Sequence, residues 1–298
     1  MSILCRIASF NASARIAFLL LPAPVRDYVM SLPQPSGLIG CRASGGSLDC
    51  CEYDIAVFGP GENSVVQIGD LIIELVHIDL PGRQIVALGE MSIIKDSHTF
   101  TLASAMQGIS GRYRKALAAA GRKSMASSLL CQQKMKSAKQ QITAAMWLKV
   151  AAYHFIQGAL ALAGVRPMPL HELDQLRQAE LAADMASGVE AALGCIGIER
   201  ATWPAIARSA EAVAKLKSLD YDGRLVRSKA DHLLKKSMLA DCYYYFGRIA
   251  SESLAGKNST FYGKYSKLVQ ISMDLSGDQQ QLERLQKSLS QAARKGLK

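Results

Sequence analysis

Between Ser97 and His171 the chain contains no aspartate and no glutamate. A span of that length without acids excludes a surface laced with local ion pairs, and it leaves its basic residues uncompensated. Other absences narrow the class. No stretch approaches the roughly 20 apolar residues needed to cross a bilayer. The early apolar run Ala17 to Leu21 is shorter than a secretory core of about 7 to 15 residues. The expectation is a soluble, non-exported, cytoplasmic chain without a membrane partner. No C-x-x-C pair occurs among the seven cysteines, Cys5, Cys41, Cys50, Cys51, Cys131, Cys195 and Cys242. Their odd number and scattered spacing argue against a disulfide framework or an ordinary zinc site, and for reduced thiols. There is no internal repeat and no long low-complexity tract.

What is present divides the chain. With 298 residues, two domains are expected. Residues 1–96 carry six basic and ten acidic residues. The acid-free span carries Arg112, Arg114, Lys115, Arg122, Lys123, Lys134, Lys136, Lys139, Lys149 and Arg166. Without these ten, 25 basic residues would balance 25 acidic ones, so the whole net charge of +10 resides in this block. A one-sided basic block points to a polyanion, such as RNA or a triphosphate.

Periodicity changes at the same place. Ile3 to Met30 has a helical pattern interrupted by Pro22 and Pro24. Tyr53 to Phe58 reads as a strand stopped by Gly59-Pro60-Gly61. Ser64 to Ile68 and Leu71 to Ile78 are β-branched runs joined by Gly69-Asp70, which predicts a hairpin. Ile85 to Leu88 is an apolar piece before a Gly89 stop, and Met91 to Lys95 reads as a last strand. From Ser97 onward β-branched runs vanish. Helices are expected over Arg112–Ala120, Ser124–Ala163, Pro169–Leu193, Trp203–Lys217, Arg224–Leu254 and Gln279–Ala293. The fold class is therefore α+β: a small mixed β-sheet domain over 1–96, then an α-helical bundle domain over 97–298.

Chemistry concentrates at Gly40 to Asp54. Glu52 and Asp54 are two apart on a predicted strand, so both face one side. Adjacent carboxylates repel unless a cation lies between them, and Mg²⁺ suits an all-oxygen site that keeps positions open for phosphate. Gly40 to Ser47 holds three glycines and two serines. Such a turn lets backbone N–H groups approach an anion closely. Together these are the parts of metal-assisted phosphoryl or nucleotidyl transfer.

Gly40-Cys41-Arg42-Ala43-Ser44-Gly45, a five-residue spacer, and Cys51-Glu52-Tyr53-Asp54-Ile55 resemble the signature of the DNA polymerase beta-like nucleotidyltransferase superfamily. The minimal nucleotidyltransferases are closest in style. The resemblance covers roughly residues 25 to 96, with Leu80-Pro81 to Glu90-Met91 resembling the end of the minimal domain. It implies that Glu52, Asp54 and a third acid, Glu74, are catalytic and bind metal, with two Mg²⁺ ions and a nucleoside triphosphate as substrate. Gly40, Cys41, Arg42 and Gly45 would form the nucleotide-binding turn. The implied reaction moves a nucleoside monophosphate to a hydroxyl on RNA, protein or a small molecule. Cys41 stands where the family has serine, and Glu52 where it has aspartate. A catalytically degenerate nucleotide- or RNA-binding relative is the alternative.

Other residues admit plainer roles beside functional ones. Asp79 reads as a turn residue and Asp49 as a solvated loop acid. Arg227 and His232 have the Arg-x4-His spacing of ribonucleases of the higher eukaryote and prokaryote nucleotide-binding helical family. That resemblance implies a helical-domain ribonuclease, although five residues on a helix do not share one clean face. His154 reads as a core histidine. Tyr243, Tyr244 and Tyr245 could stack a base, with at least one of them in the core. The amphipathic last helix, up to Lys298, reads as packing or a partner helix.

Overall fold

The structure, a computed structural model, describes residues 21–79, 84–215, 223–275 and 279–297. The expectations for Ile3 to Leu20, for Cys5 and for Leu80 to Arg83 lie outside those residues.

The chain is α+β. It divides into two compact units, one up to Ala116 and one from Leu117. The division falls inside a helix, later than the change in composition at residue 96.

In the first unit, α1 (Ala23–Ser31) starts behind Pro22. Proline at a helix start is tolerated because its missing N–H would have had no partner there. Strands β1 (Ser36–Ile39), β2 (Tyr53–Phe58), β3 (Ser64–Ile68), β4 (Leu71–Ile78) and β5 (Ser92–Lys95) form one sheet in the order β3-β4-β2-β1-β5. The central β2–β4 pair is parallel, and the other pairings are antiparallel. The five-residue helix α2 (Gly40–Ser44) follows β1 and the short α3 (Ile85–Leu88) precedes β5.

Side-chain alternation sorts the sheet into two faces. Tyr53, Ile55 and Val57 of β2 join Ile73 and Leu75 of β4 under Val25 and Val29 of α1. Ala56 and Ile78 face the other way, with Leu88, Leu102, Met106 and Ile109. The last three lie on α4 (Thr101–Ser137). Asp96 sets the start of that helix: its carboxylate accepts the N–H groups of Ser97 (2.7 Å), Leu102 (2.9 Å) and Ala103 (2.9 Å). An acceptor for first-turn donors is what a helix N-terminus lacks.

The second unit is helical: the rest of α4, then α5 (Gln141–Leu162), α6 (Glu172–Gln178), α7 (Ala183–Ile196), α8 (Trp203–Lys215), α9 (Gly223–Lys235), α10 (Leu239–Ala255), α11 (Ser259–Lys264), α12 (Ser266–Ser272) and α13 (Gln279–Lys295). Its centre is α5, where Tyr153, Phe155 and Ile156 are buried. The expected break between Ala120 and Ser124 does not occur. Gly121 of α4 and Gly158 of α5 meet instead: a Cβ on Gly121 would lie 2.9 Å from Leu162 Cγ, and one on Gly158 3.1 Å from the Gly121 carbonyl. These glycines allow close backbone approach rather than a stop. Three expected long helices are broken. Ser124–Ala163 parts at residues 138–140, Pro169–Leu193 parts at residues 179–182, and Arg224–Leu254 parts at Ser237, which adopts a left-handed φ of 57°. Among the described residues no helix is long and apolar enough to cross a membrane.

Candidate metal centre

β1 runs outward to Ile39, whose partner on β2 is Asp54. The chain then turns through Gly40 with a φ of +72°. A Cβ at Gly40 would lie 1.9 Å from Asp54 Oδ2. Only glycine lets this backbone sit directly against the carboxylate, so conformation and close approach impose the same residue.

Parallel pairing of β2 and β4 puts Asp54 beside Glu74. Glu52, two residues before Asp54, emerges on the same side. One carboxylate oxygen from each of Glu52, Asp54 and Glu74 lies within 4.8 Å of the others. The three acids that the sequence singled out therefore converge. Glu52 is buried, and Asp54 and Glu74 are half-buried. Three carboxylates in so little space and with limited solvent are a strongly unfavourable arrangement without a cation. A hard divalent ion with oxygen ligands at about 2.0–2.1 Å, as for Mg²⁺, can be spanned by oxygens with this spacing.

The turn is built differently from a bare phosphate cradle. Arg42 points into the protein. Its Nε donates to the carbonyls of Cys51 (3.0 Å) and Glu52 (3.1 Å), and its Nη2 to those of Cys51 (2.6 Å) and Asp49 (3.4 Å). The guanidinium also stacks 4.1 Å from the centre of the Tyr53 ring. Arg42 thus pins the loop that delivers Glu52 onto the turn that carries Gly40. Gly45 takes φ +83° and ends α2, with the Gly46 N–H donating to the Cys41 carbonyl at 3.1 Å. That is a left-handed helix cap. Cys41 is buried, and its thiol is hydrogen-bonded to that of Cys51. That bond, with burial and the nearby carboxylates, raises the Cys41 thiol well above its ordinary range.

The remaining candidates sit elsewhere. Asp79 and Asp49 are exposed and stand outside the carboxylate group. Of the ten basic residues in the acid-free span, Arg112, Arg114, Lys115, Arg122, Lys123, Lys134, Lys136 and Lys139 are exposed, and Arg166 is half-buried. Lys149 is an exception to any surface role. It is buried, and its Nζ donates to the Met273 carbonyl (2.5 Å) and to Tyr243 Oη (3.2 Å). Burial pulls its pKa down to about 7. Arg227 is exposed and His232 half-buried on α9, about 140° apart around the axis at 3.6 residues per turn.

No tyrosine of the Tyr243–Tyr245 run offers a ring to a base, because all three are buried. Tyr243 Oη donates to Asp274 Oδ2 (2.8 Å), and Tyr244 Oη donates to Glu172 Oε2 (2.5 Å). His154 lines a cavity of about 170 Å³ between α5 and α10, beside Tyr153, Gln157, Arg248 and Glu252. Burial lowers its pKa. Sequence reasoning missed Glu172. It is fully buried, paired with Arg248 Nε at 3.2 Å, and raised in pKa by burial. Its apolar neighbours in sequence, Leu170 and Leu173, were the available signal.

No family model, curated protein or solved structure matches this chain.

Proposed function

We propose that the chain is a metal-dependent nucleotidyltransferase that moves a nucleoside monophosphate from a triphosphate to a hydroxyl acceptor, with RNA as the acceptor the charge favours. The observation that carries this reading is the convergence of Glu52, Asp54 and Glu74 within 4.8 Å at the Gly40 turn. Glu52 and Asp54 would hold Mg²⁺, with Glu74 completing the set. Bound there, the metal would supply charge neutralisation for the triphosphate and for the attacking and leaving oxygens. Glu74, beside Asp54 on the neighbouring strand, would orient the acceptor hydroxyl and take its proton. Gly40 lets the turn's backbone lie directly against the Asp54 carboxylate. Arg42 acts as a positioning residue, holding the Glu52 loop. The exposed basic residues of α4 would bind a polyanionic acceptor through its phosphates.

The test is transfer of label from an α-labelled triphosphate to RNA with Mg²⁺, together with triphosphate binding. Asp54→Ala should remove both Mg²⁺-dependent signals. Wild type lacking either signal, with Asp54→Ala indistinguishable from it, would sink the proposal.

One observation favours a second reading. Cys41 takes the family's phosphate-gripping position, but its thiol is engaged with Cys51, and a thiol is a weak donor. A protein that binds the triphosphate without transferring it would retain Mg²⁺-dependent binding and show no labelled product.

A further inference from the structure

Cys41 and Cys51 each adjoin a residue of the carboxylate centre. Cys41 directly follows Gly40, and Cys51 directly precedes Glu52. Both are buried and neither is in a disulfide. Their sulfurs lie within 4.8 Å of each other and share a hydrogen bond. This juxtaposition is built by other residues. Arg42, next to Cys41, draws the Cys51 carbonyl in at 2.6 Å. The Leu48 N–H donates to Cys51 Sγ at 3.3 Å, so the sulfur is oriented as well as close. Between the two cysteines, a Cβ at Gly45 or Gly46 would meet nothing within 4 Å, so the connecting loop has room to adjust.

We propose that Cys41 and Cys51 are a thiol modification site, in which a small peroxide joins them as a disulfide and thereby switches off the carboxylate centre. In the first step the Cys51 sulfur, oriented by the Leu48 N–H, attacks hydrogen peroxide. Its S–H proton leaves, an S–O bond forms, the O–O bond breaks, and one water departs. In the second step the other thiol attacks that sulfur. The S–S bond forms, the S–O bond breaks, and a second water carries off the remaining proton. Two electrons pass from the sulfur pair to the peroxide. Burial of both thiols excludes large oxidants, so the oxidant proposed is a small one. The sulfurs must close to about 2.05 Å. Gly40 and Glu52 are each one residue away and must move with them. A displacement of about 1 Å in such a site costs on the order of a hundredfold in rate.

The consequence for activity rests on the proposed nucleotidyl transfer, but the crosslink does not, and the experiment separates them. Full-length Cys50→Ser protein, which removes the neighbouring thiol, is treated with hydrogen peroxide, alkylated and digested with trypsin. Cleavage after Arg26, Arg42 and Arg83 places Cys41 and Cys51 in different peptides, 27–42 and 43–83. The expected product is the two peptides joined, two hydrogens lighter than their sum, and separated again by dithiothreitol. Cys50→Ser/Cys51→Ser should give none. Recovery of both cysteines alkylated after peroxide treatment overturns the site, and so does recovery of Cys41 or Cys51 in a disulfide with a different cysteine peptide instead.

In the second arm, Mg²⁺-dependent triphosphate binding is compared before and after oxidation. A loss of at least about tenfold, reversed by dithiothreitol, is expected from the displacement argument. Unchanged binding by fully crosslinked protein overturns the switch. Absence of binding by the reduced protein counts against the nucleotidyltransferase reading, while a linked peptide in the same sample still establishes the modification site.

Discussion

Gly40, Arg42 and Lys149 each carry more than their type implies. Gly40→Ala forces a Cβ against Asp54 Oδ2 at 1.9 Å and leaves a non-glycine residue at φ +72°. A loss of about 1–3 kcal/mol in unfolding free energy is expected from the backbone strain alone, measured by urea denaturation. Mg²⁺ binding should fall with it, because the carboxylate must move. Arg42→Lys keeps the charge but loses the planar fork that reaches three carbonyls. It should weaken Mg²⁺ binding with little change in net charge, and isothermal titration would read this.

Lys149 offers a pH test. Its pKa of about 7 in the folded chain is below the ordinary 10.5. Between those values the unfolded chain holds a proton that the folded chain has lost, so stability rises with pH across the window. Below about pH 7 both forms are protonated and the burial penalty is fully present. Lys149→Met should therefore be most stable relative to wild type near pH 6. That advantage should shrink by more than about 1 kcal/mol between pH 7 and pH 9. A difference independent of pH would mean that Lys149 does not titrate there.

At the scale of the element, strands were more legible than helices. Ser64–Ile68 and Leu71–Ile78 read directly as a hairpin because β-branched runs with a Gly-Asp punctuation have few alternatives. The carboxylate site was legible for the same local reason: strand parity puts Glu52 and Asp54 on one face. Glu74 needed more, since only the parallel β2–β4 register makes it Asp54's neighbour, and register is a tertiary fact. Arg42 was misleading in isolation. A basic residue in a glycine-rich turn has the same composition whether it binds phosphate or clamps carbonyls. The helical breaks failed for the opposite reason. No break follows Gly121, which packs against α5, and Ser237 takes a left-handed cap normally left to glycine. Gly158→Val should accordingly cost about 1–3 kcal/mol through overpacking against Met125 and the Gly121 backbone. Thermal unfolding would show it as a lowered midpoint. A midpoint equal to that of wild type would mean that α4 and α5 have slack at this crossing.

At the scale of the whole molecule the charge is partitioned. The acids of the carboxylate centre belong to a segment with six basic and ten acidic residues, while the net +10 arises from the acid-free block. Eight basic side chains of that block are exposed. Some have a local partner, as Lys134 does over the Trp147 ring at 4.2 Å. Such a contact leaves the charge in place and so does not remove attraction for phosphate. Counterion release then sets the expected behaviour. For a single strand, the logarithm of the association constant should fall linearly with the logarithm of salt, by roughly 0.7 for each phosphate neutralised. Converting Arg122, Lys123 and Lys136 to glutamine together should lower that slope by roughly 0.7 for each residue that bonds a phosphate. All three are exposed, so the unfolding midpoint should be unchanged. Asp54→Ala should leave the slope as it is, because it alters the carboxylate centre and not the basic block. Binding that ignores salt, or a slope that survives the triple substitution, would remove RNA as the acceptor while leaving the carboxylate centre free to serve another hydroxyl.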